Sequence, residues 1–332
     1  MAMEYRLLLV DVYWLTESGE ALGPGYVLVD RGRLASIEPG EPGEEEQYAE
    51  MVAGGLGRLV LPGMAGVAVP ELYVARGALG PGEAPRALLG SSSAGSLLEE
   101  VGVAESYYAT LVAAWDAMLN GITRLIVVSR SPAAAAQALS DAGLTGLVLV
   151  PDDTCRGTPL RGHALDEAME EARKKGADMA RVHMAPLSCG GCGDGWCLDE
   201  NGLHHPALRP HGEAPIEWLL PTTAPWSLLY ATHGAAWRLL VEALHRAAEP
   251  GYQPYRGAAH LAVLDLTQPP AWVPPVAACP ACLGPTAPRV ETLISGGRVV
   301  VDGGEPLQVG ATAAAEAAAR LEKLALAART RS

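Results

Sequence analysis

Over the first 37 residues apolar and polar positions alternate as they do in strands. Runs extend from Tyr5 to Leu15, Gly25 to Asp30 and Arg33 to Ile37, with Gly32 in the turn between the last two. A glutamate-rich stretch without apolar period, Glu38 to Glu50, reads as a solvated loop, and a strand from Gly57 to Leu61 then runs into Pro62-Gly63. Beyond it the pattern changes. Ala104 to Asn120 has helical spacing and stops at Gly121; Ile122 to Ser129 is a continuous apolar strand; Pro132 to Ala142 is a helix stopped by Gly143, with Leu144 to Val150 as the next strand. Leu165 to Lys175 repeats the helix, Gly176 the stop, and Met179 to Leu187 the strand. Helix, glycine, strand, three times over, predicts parallel βα units. From Ser188 to Ala214 no period is readable. Trp226 to Ala248 then reads as helix, His260 to Leu266 as strand, Thr267 to Pro288 as a proline-rich loop, and Arg289 to Val301 and on to Leu307 as paired strands. Ala311 to Arg329 is an alanine-rich helix with Glu316 and Arg320 at i,i+4.

Composition narrows the setting. In 332 residues, 49% apolar and 19% charged, there is enough to bury a substantial core. A net charge of −14 argues against non-specific nucleic-acid or anionic-membrane binding, which need a basic surface. No apolar run is long enough for a membrane span, and Leu7 to Val10 ends at Asp11, too short for a secretory core, so a cytoplasmic location is expected. Asn occurs only at Asn120 and Asn201, and Arg far outnumbers Lys, as in a hot-adapted source or a GC-rich genome. Composition leaves the partner open between a small molecule and a protein, with a homo-oligomer as a further option.

Several pieces together resemble the amidohydrolase superfamily, the metal-dependent hydrolases that include cytosine and guanine deaminases and chlorohydrolases. Val27 to Ile37 is similar to its opening hairpin, Gly57-Arg58-Leu59-Val60-Leu61-Pro62-Gly63 to its crossover, and Leu111 to Val128, with Gly121-Ile122-Thr123, to its helix–Gly–x–Thr–strand unit. Ala231-Thr232-His233-Gly234-Ala235 resembles the helix before the return, and Ala258 to Leu266 and Ile294 to Gly304 its closing strands. The resemblance implies an α/β fold: a TIM-barrel-like (βα) domain with a small β-sandwich built from both chain ends. The division would be 1–61 with 257–310 for the sandwich, 62–256 for the barrel and 311–332 for a terminal helix. From Pro62 to Arg256 the chain is shorter than the roughly 250 residues of an eight-unit barrel, so that domain is expected to be shortened or degenerate.

The family's catalytic ligands do not carry over. Its His-x-His pair would fall on Ala68 and Pro70, neither of which can bind a metal, and no His, Asp or Glu follows before Glu71. Asp265, in a sandwich-type strand, reads as structural, and His183, in a buried strand, as a core histidine. His233 and His260 replace residues that are not ligands in the family. His204, His205 and His211 cluster, and are the weak candidates for a rebuilt metal site.

The sharpest chemical signal is the pair of Cys-x-x-Cys turns, Cys189/Cys192 and Cys279/Cys282, with Gly193 directly after the first and Gly284 two residues after the second. In a cytoplasmic chain clustered cysteines read as metal ligands before disulfides. Four thiolates would close a tetrahedral structural zinc site, with Cys197 as a fifth candidate and Cys155 a bystander. An iron–sulfur cluster, a disulfide pair and buried thiols are the competing readings. Two principal functions follow: a non-catalytic descendant stabilised by zinc, or a divergent metal-dependent hydrolase acting on C–N bonds. Electron transfer, resting on the cysteines alone, is the third.

Overall fold

The computed structural model describes residues 5–16, 21–75, 84–91, 94–191, 193–200, 202–206, 255–267 and 289–329, with residues 246, 248, 249 and 253. The elements are β1 (Leu7–Leu15), β2 (Ala21–Asp30), β3 (Arg33–Pro39), β4 (Met51–Pro62), β5 (Met64–Ala68), α1 (Leu72–Ala75), α2 (Ala84–Leu88), α3 (Ala94–Glu99) and α4 (Val103–Leu119). They continue with β6 (Ile122–Val128), α5 (Pro132–Asp141), β7 (Thr145–Pro151), α6 (Leu165–Lys174), β8 (Val182–Cys189), β9 (Trp196–Asp199) and β10 (Gly202–His204). The last are β11 (Leu261–Asp265), β12 (Arg289–Ser295), β13 (Arg298–Asp302), β14 (Glu305–Pro306) and α7 (Ala311–Arg329). The chain divides into two compact units, one of residues 1–65, 117–124 and 223–307, the other of residues 66–116, 125–222 and 308–332.

In the first unit, strands from both chain ends are hydrogen-bonded in one eight-stranded ladder, β14-β13-β12-β11-β4-β1-β2-β3. β11 joins the ends by pairing antiparallel with β4, Leu261 opposite Pro62 and Asp265 opposite Arg58. One face buries Leu7, Leu9, Val27, Val60, Leu261, Val263 and Ile294, the strand alternation that the sequence showed. β4 begins earlier than its apolar pattern suggests. Gly54, Gly55 and Gly57 at φ 109°, 124° and 87° hide the period, yet Met51 to Gly54 run parallel to Leu7 to Val10.

The second unit holds the βα repeats. The second sheet has the order β10-β9-β8-β7-β6-β5, six strands among the described residues, a curled half-barrel in a mixed α/β fold. β7, β8 and β9 are parallel. Gly121, Gly143 and Gly176 end α4, α5 and α6 in the left-handed region, at φ 75°, 74° and 89°. On α6, pairs Glu170–Lys174 at 3.5 Å and Glu171–Lys175 at 3.6 Å run along the solvent face. β8 starts at Val182, not at Met179, because Asp178 turns the chain there, accepting from Ala180 N at 3.1 Å. The stretch without period contains the hairpin β9–β10. Leu321 of α7 packs with Val74, Val101 and Ala109, and Arg320 lies 4.5 Å over the Tyr108 ring.

Three of the sequence pieces meet in the first unit. A Cβ on Gly63 would fall on the side chain of Thr123, whose own carbonyl accepts from Ser295 Oγ at 2.7 Å. Gly63 N donates to His260 O at 2.7 Å, and Gly297 N to Ala259 O at 2.8 Å. Thr123 and Ser295 are fully buried, so the clash has nowhere to relax. Gly63→Ala is expected to cost about 1–3 kcal/mol by overpacking, whereas Gly195→Ala, which faces open space in an exposed loop, should leave the denaturation midpoint unchanged. Chemical denaturation of both variants checks this.

Candidate functional site

The polar residues of the second unit converge after the ends of β5, β6, β7 and β8. β5 closes on Ala68, 1% exposed, and Val69 and Pro70 are buried beside it. Glu71 follows, 2% exposed. Its Oε1 accepts from Ser129 Oγ at 2.5 Å and from Arg130 N at 3.2 Å, both in the loop after β6. Ser129 Oγ accepts in turn from Ser131 N at 3.0 Å, which fixes the loop where α5 begins. His163, in the loop after β7, donates through Nε2 to Arg130 O at 3.0 Å, a carbonyl acceptor that requires the proton on that nitrogen. Its own N–H bonds Pro151 O at 2.7 Å.

Burial dominates the electrostatics. It pushes the Glu71 carboxyl above its ordinary pKa, against the lowering by Ser129 and by backbone N–H groups. Ser106 Oγ on α4 faces the same carboxyl without closing a hydrogen bond, and Glu71 Oε2 is buried without a hydrogen-bond partner. Burial, with Arg161 nearby, also lowers the Arg130 guanidinium. A cavity of about 10 Å³ lies between them, walled by Leu88, Leu98, Pro159 and Leu160.

The cysteines are arranged otherwise than the Cys-x-x-Cys spacing suggests. Cys189, expected as a zinc ligand, is bonded to Cys155, expected as a bystander. Parallel pairing of β7 and β8 brings their ends together and leaves the two Cα atoms 5.0 Å apart, within the range a disulfide spans. Cys189 N also bonds Thr154 Oγ1 at 2.7 Å. Cys197, the fifth candidate, is buried and disulfide-bonded. Cys192, Cys279 and Cys282 lie outside the described residues. Among the described residues no three His, Cys, Asp or Glu side chains form a metal-holding group.

The histidines are spent locally. His204 Nε2 is 2.9 Å from Asp199 Oδ1 across the β9–β10 hairpin, and His205 lies against Trp196 with ring centroids 4.6 Å apart. Burial lowers the His205 pKa. His211 and His233 lie outside the described residues. His183 is exposed, not a core histidine, because β8 buries Val182 and Leu187 instead. Among the described residues His260 is the buried histidine, its Nε2 3.2 Å from Arg124 Nη2. Asp265 accepts from Thr267 N at 2.8 Å and sits 3.7 Å from Arg58, as a structural carboxylate should. Sequence reasoning passed over Ser129, Arg130 and His163 and met Glu71 only as the next acid. A Glu directly after an apolar strand end was the one signal for the cluster.

Two outcomes follow. Cross-linking a loop of this length stabilises by about 3–4 kcal/mol, with a sequence separation of 34. Cys189→Ser should lose that much in urea unfolding, and an unchanged value would overturn the pairing. For Glu71 the raised pKa means that folding favours the protonated carboxyl. Its contribution is fully present below the unfolded value near 4.5 and is lost as pH rises through the folded pKa. Glu71→Gln should therefore gain stability relative to the parent as pH rises above 4.5, measured by denaturation across pH.

No protein-family model matches the chain, and no curated protein sequence matches it. Solved structures do. A triazine hydrolase variant aligns with TM-score 0.69 at 13% identity, covering 96% of this chain and 100% of that one. Atrazine chlorohydrolase from Arthrobacter aurescens TC1, complexed with zinc, gives 0.69 at 13%, covering 95% and 100%. An adenosine deaminase from Xanthomonas campestris with bound zinc gives 0.68 at 12%, covering 97% and 98%. At these identities the likeness is one of fold: the chain has the mixed α/β fold of amidohydrolase-superfamily structures.

Proposed function

We propose that this chain is an amidohydrolase-fold protein that no longer hydrolyses at the family's first-strand metal site and acts as a binding scaffold. One observation carries the reading. Where the resemblance calls for two imidazoles, the end of β5 offers Ala68 and Pro70, both buried and without a metal-binding atom, followed by Glu71, whose carboxyl is taken up by Ser129 and Arg130. Those residues do not fit a metal held as in the resemblance, so no hydrolytic step is derived through one. The Cys155–Cys189 bond takes Cys189 out of the four thiolates expected to hold a structural zinc.

The second reading, a hydrolase acting on C–N bonds through a rebuilt metal site, is favoured by the likeness to zinc-bound hydrolase structures. It would draw on His204, His205 and His211. A panel of purine, pyrimidine, hydantoin and acyl-amide substrates, with zinc, manganese or cobalt added, separates the two. The expected result is no turnover above background. Turnover abolished by His204→Ala, His205→Ala or His211→Ala would overturn the scaffold reading and locate the site.

A further inference from the structure

We propose that residues 152–162 form a flap held shut by the Cys155–Cys189 bond, which a dithiol opens, with Pro159 and Leu160 as the cavity wall that moves. The segment between β7 and α6 is an Ω-shaped loop closed at its base. His163 N donates to Pro151 O at 2.7 Å, and Asp152 N to Leu187 O at 2.9 Å. A Cβ on Gly162 would fall 2.7 Å from Asp152 O, so the two ends of the loop touch. Inside the loop the polar groups serve one another. Cys155 N donates to Asp152 O, Thr158 N to Cys155 O and Arg161 N to Thr158 O, while Arg156 pairs with Asp153 at 2.9 Å. Away from the base, the polar ties from the loop to other described residues both run to Cys189. One is the disulfide from Cys155, the other the hydrogen bond from Cys189 N to Thr154 Oγ1. Buried Pro159 and Leu160, which line the cavity with Leu88 and Leu98, add an apolar contact. Arg161 opposes it, lying close enough to Arg130 to repel a like charge.

The chemistry of release is thiol–disulfide exchange. Cys155 is fully buried, whereas Cys189 is half-buried and followed by exposed Gly190 and Gly191, so Cys189 is the sulfur an external thiol meets. The first thiolate of a dithiol attacks Cys189 Sγ; the bond to Cys155 breaks, and Cys155 leaves as a thiolate that takes up a proton. The second thiolate attacks the mixed disulfide, Cys189 leaves as a thiol, and the dithiol departs as a cyclic disulfide. Two electrons and two protons have passed to the protein. The flap then keeps its base and its internal bonds but has lost its covalent anchor. β7 and β8 stay paired from Gly146 opposite Val182 to Pro151 opposite Leu187, which confines the change to the loop. The inference stands whether the chain is a scaffold or a hydrolase.

The test treats the native protein with dithiothreitol, without denaturant, then alkylates the thiols and follows amide hydrogen exchange by peptide mass spectrometry. Cys155 and Cys189 should become alkylated, and amides of residues 153–161 should exchange about tenfold faster or more, while β6, β7 and α5 keep their protection. The double variant Cys155→Ala/Cys189→Ala should show the same fast loop without reductant. If that variant does not fold, the reduced parent still carries the test. A bond that yields only in denaturant, or a loop whose exchange is unchanged after reduction, would overturn the proposal. So would loss of protection spreading through β7 and α5, which would make the bond a staple of the whole unit. Fast exchange in the reduced parent but not in the folded double variant would assign the effect to other cysteines and overturn it equally.

Discussion

The missing side chain of Gly63 holds the first unit in its arrangement. Because nothing projects from that Cα, Thr123 can enter the space, and the backbone N–H of Gly63 can reach His260 O. Ser295 then bonds the Thr123 carbonyl, and Gly297 reaches Ala259. A similar close approach recurs where Gly297 lies against Gly32, with no room for a Cβ on Gly297. Residues near 32, 63, 123, 260 and 296 are distant in sequence but adjacent here, so the ladder formed by the two chain ends depends on glycine at a few points where backbones nearly touch.

In the second unit the governing cost is electrostatic. A carboxyl and a guanidinium have both been taken out of water at the strand ends, and the backbone there is arranged to satisfy part of each. Ser129 and Arg130 N serve one oxygen of Glu71, while His163 holds the Arg130 carbonyl. Such a cluster fixes loop geometry firmly, because withdrawing one member strands the others in low dielectric.

Much of the fold was legible because local chemistry and tertiary structure agree there. Gly121, Gly143 and Gly176 stop their helices as the repeat implied, and Pro132 opens α5. Where glycine broke the apolar period, as at Gly54, Gly55 and Gly57, the start of β4 was invisible, since strand pairing and not side-chain pattern defines it. The cysteines illustrate the same limit. Cys-x-x-Cys spacing points to a shared metal, but the partner of Cys189 is set by the neighbour strand, 34 residues away in sequence. Glu71 carries no motif beyond its place after an apolar strand end, and its burial shows only in the structure.

The bond between Cys155 and Cys189 has a topological consequence. It makes residues 155 to 189 a covalent ring, and α6 lies wholly inside it. That helix buries only Ala168 and Ala172 and is otherwise solvated, a natural place for brief opening and for a protease to bite. Inside the ring a single cut releases no fragment. Both new ends remain tethered to the ends of β7 and β8, so a nicked molecule keeps its connectivity until the sulfurs are reduced.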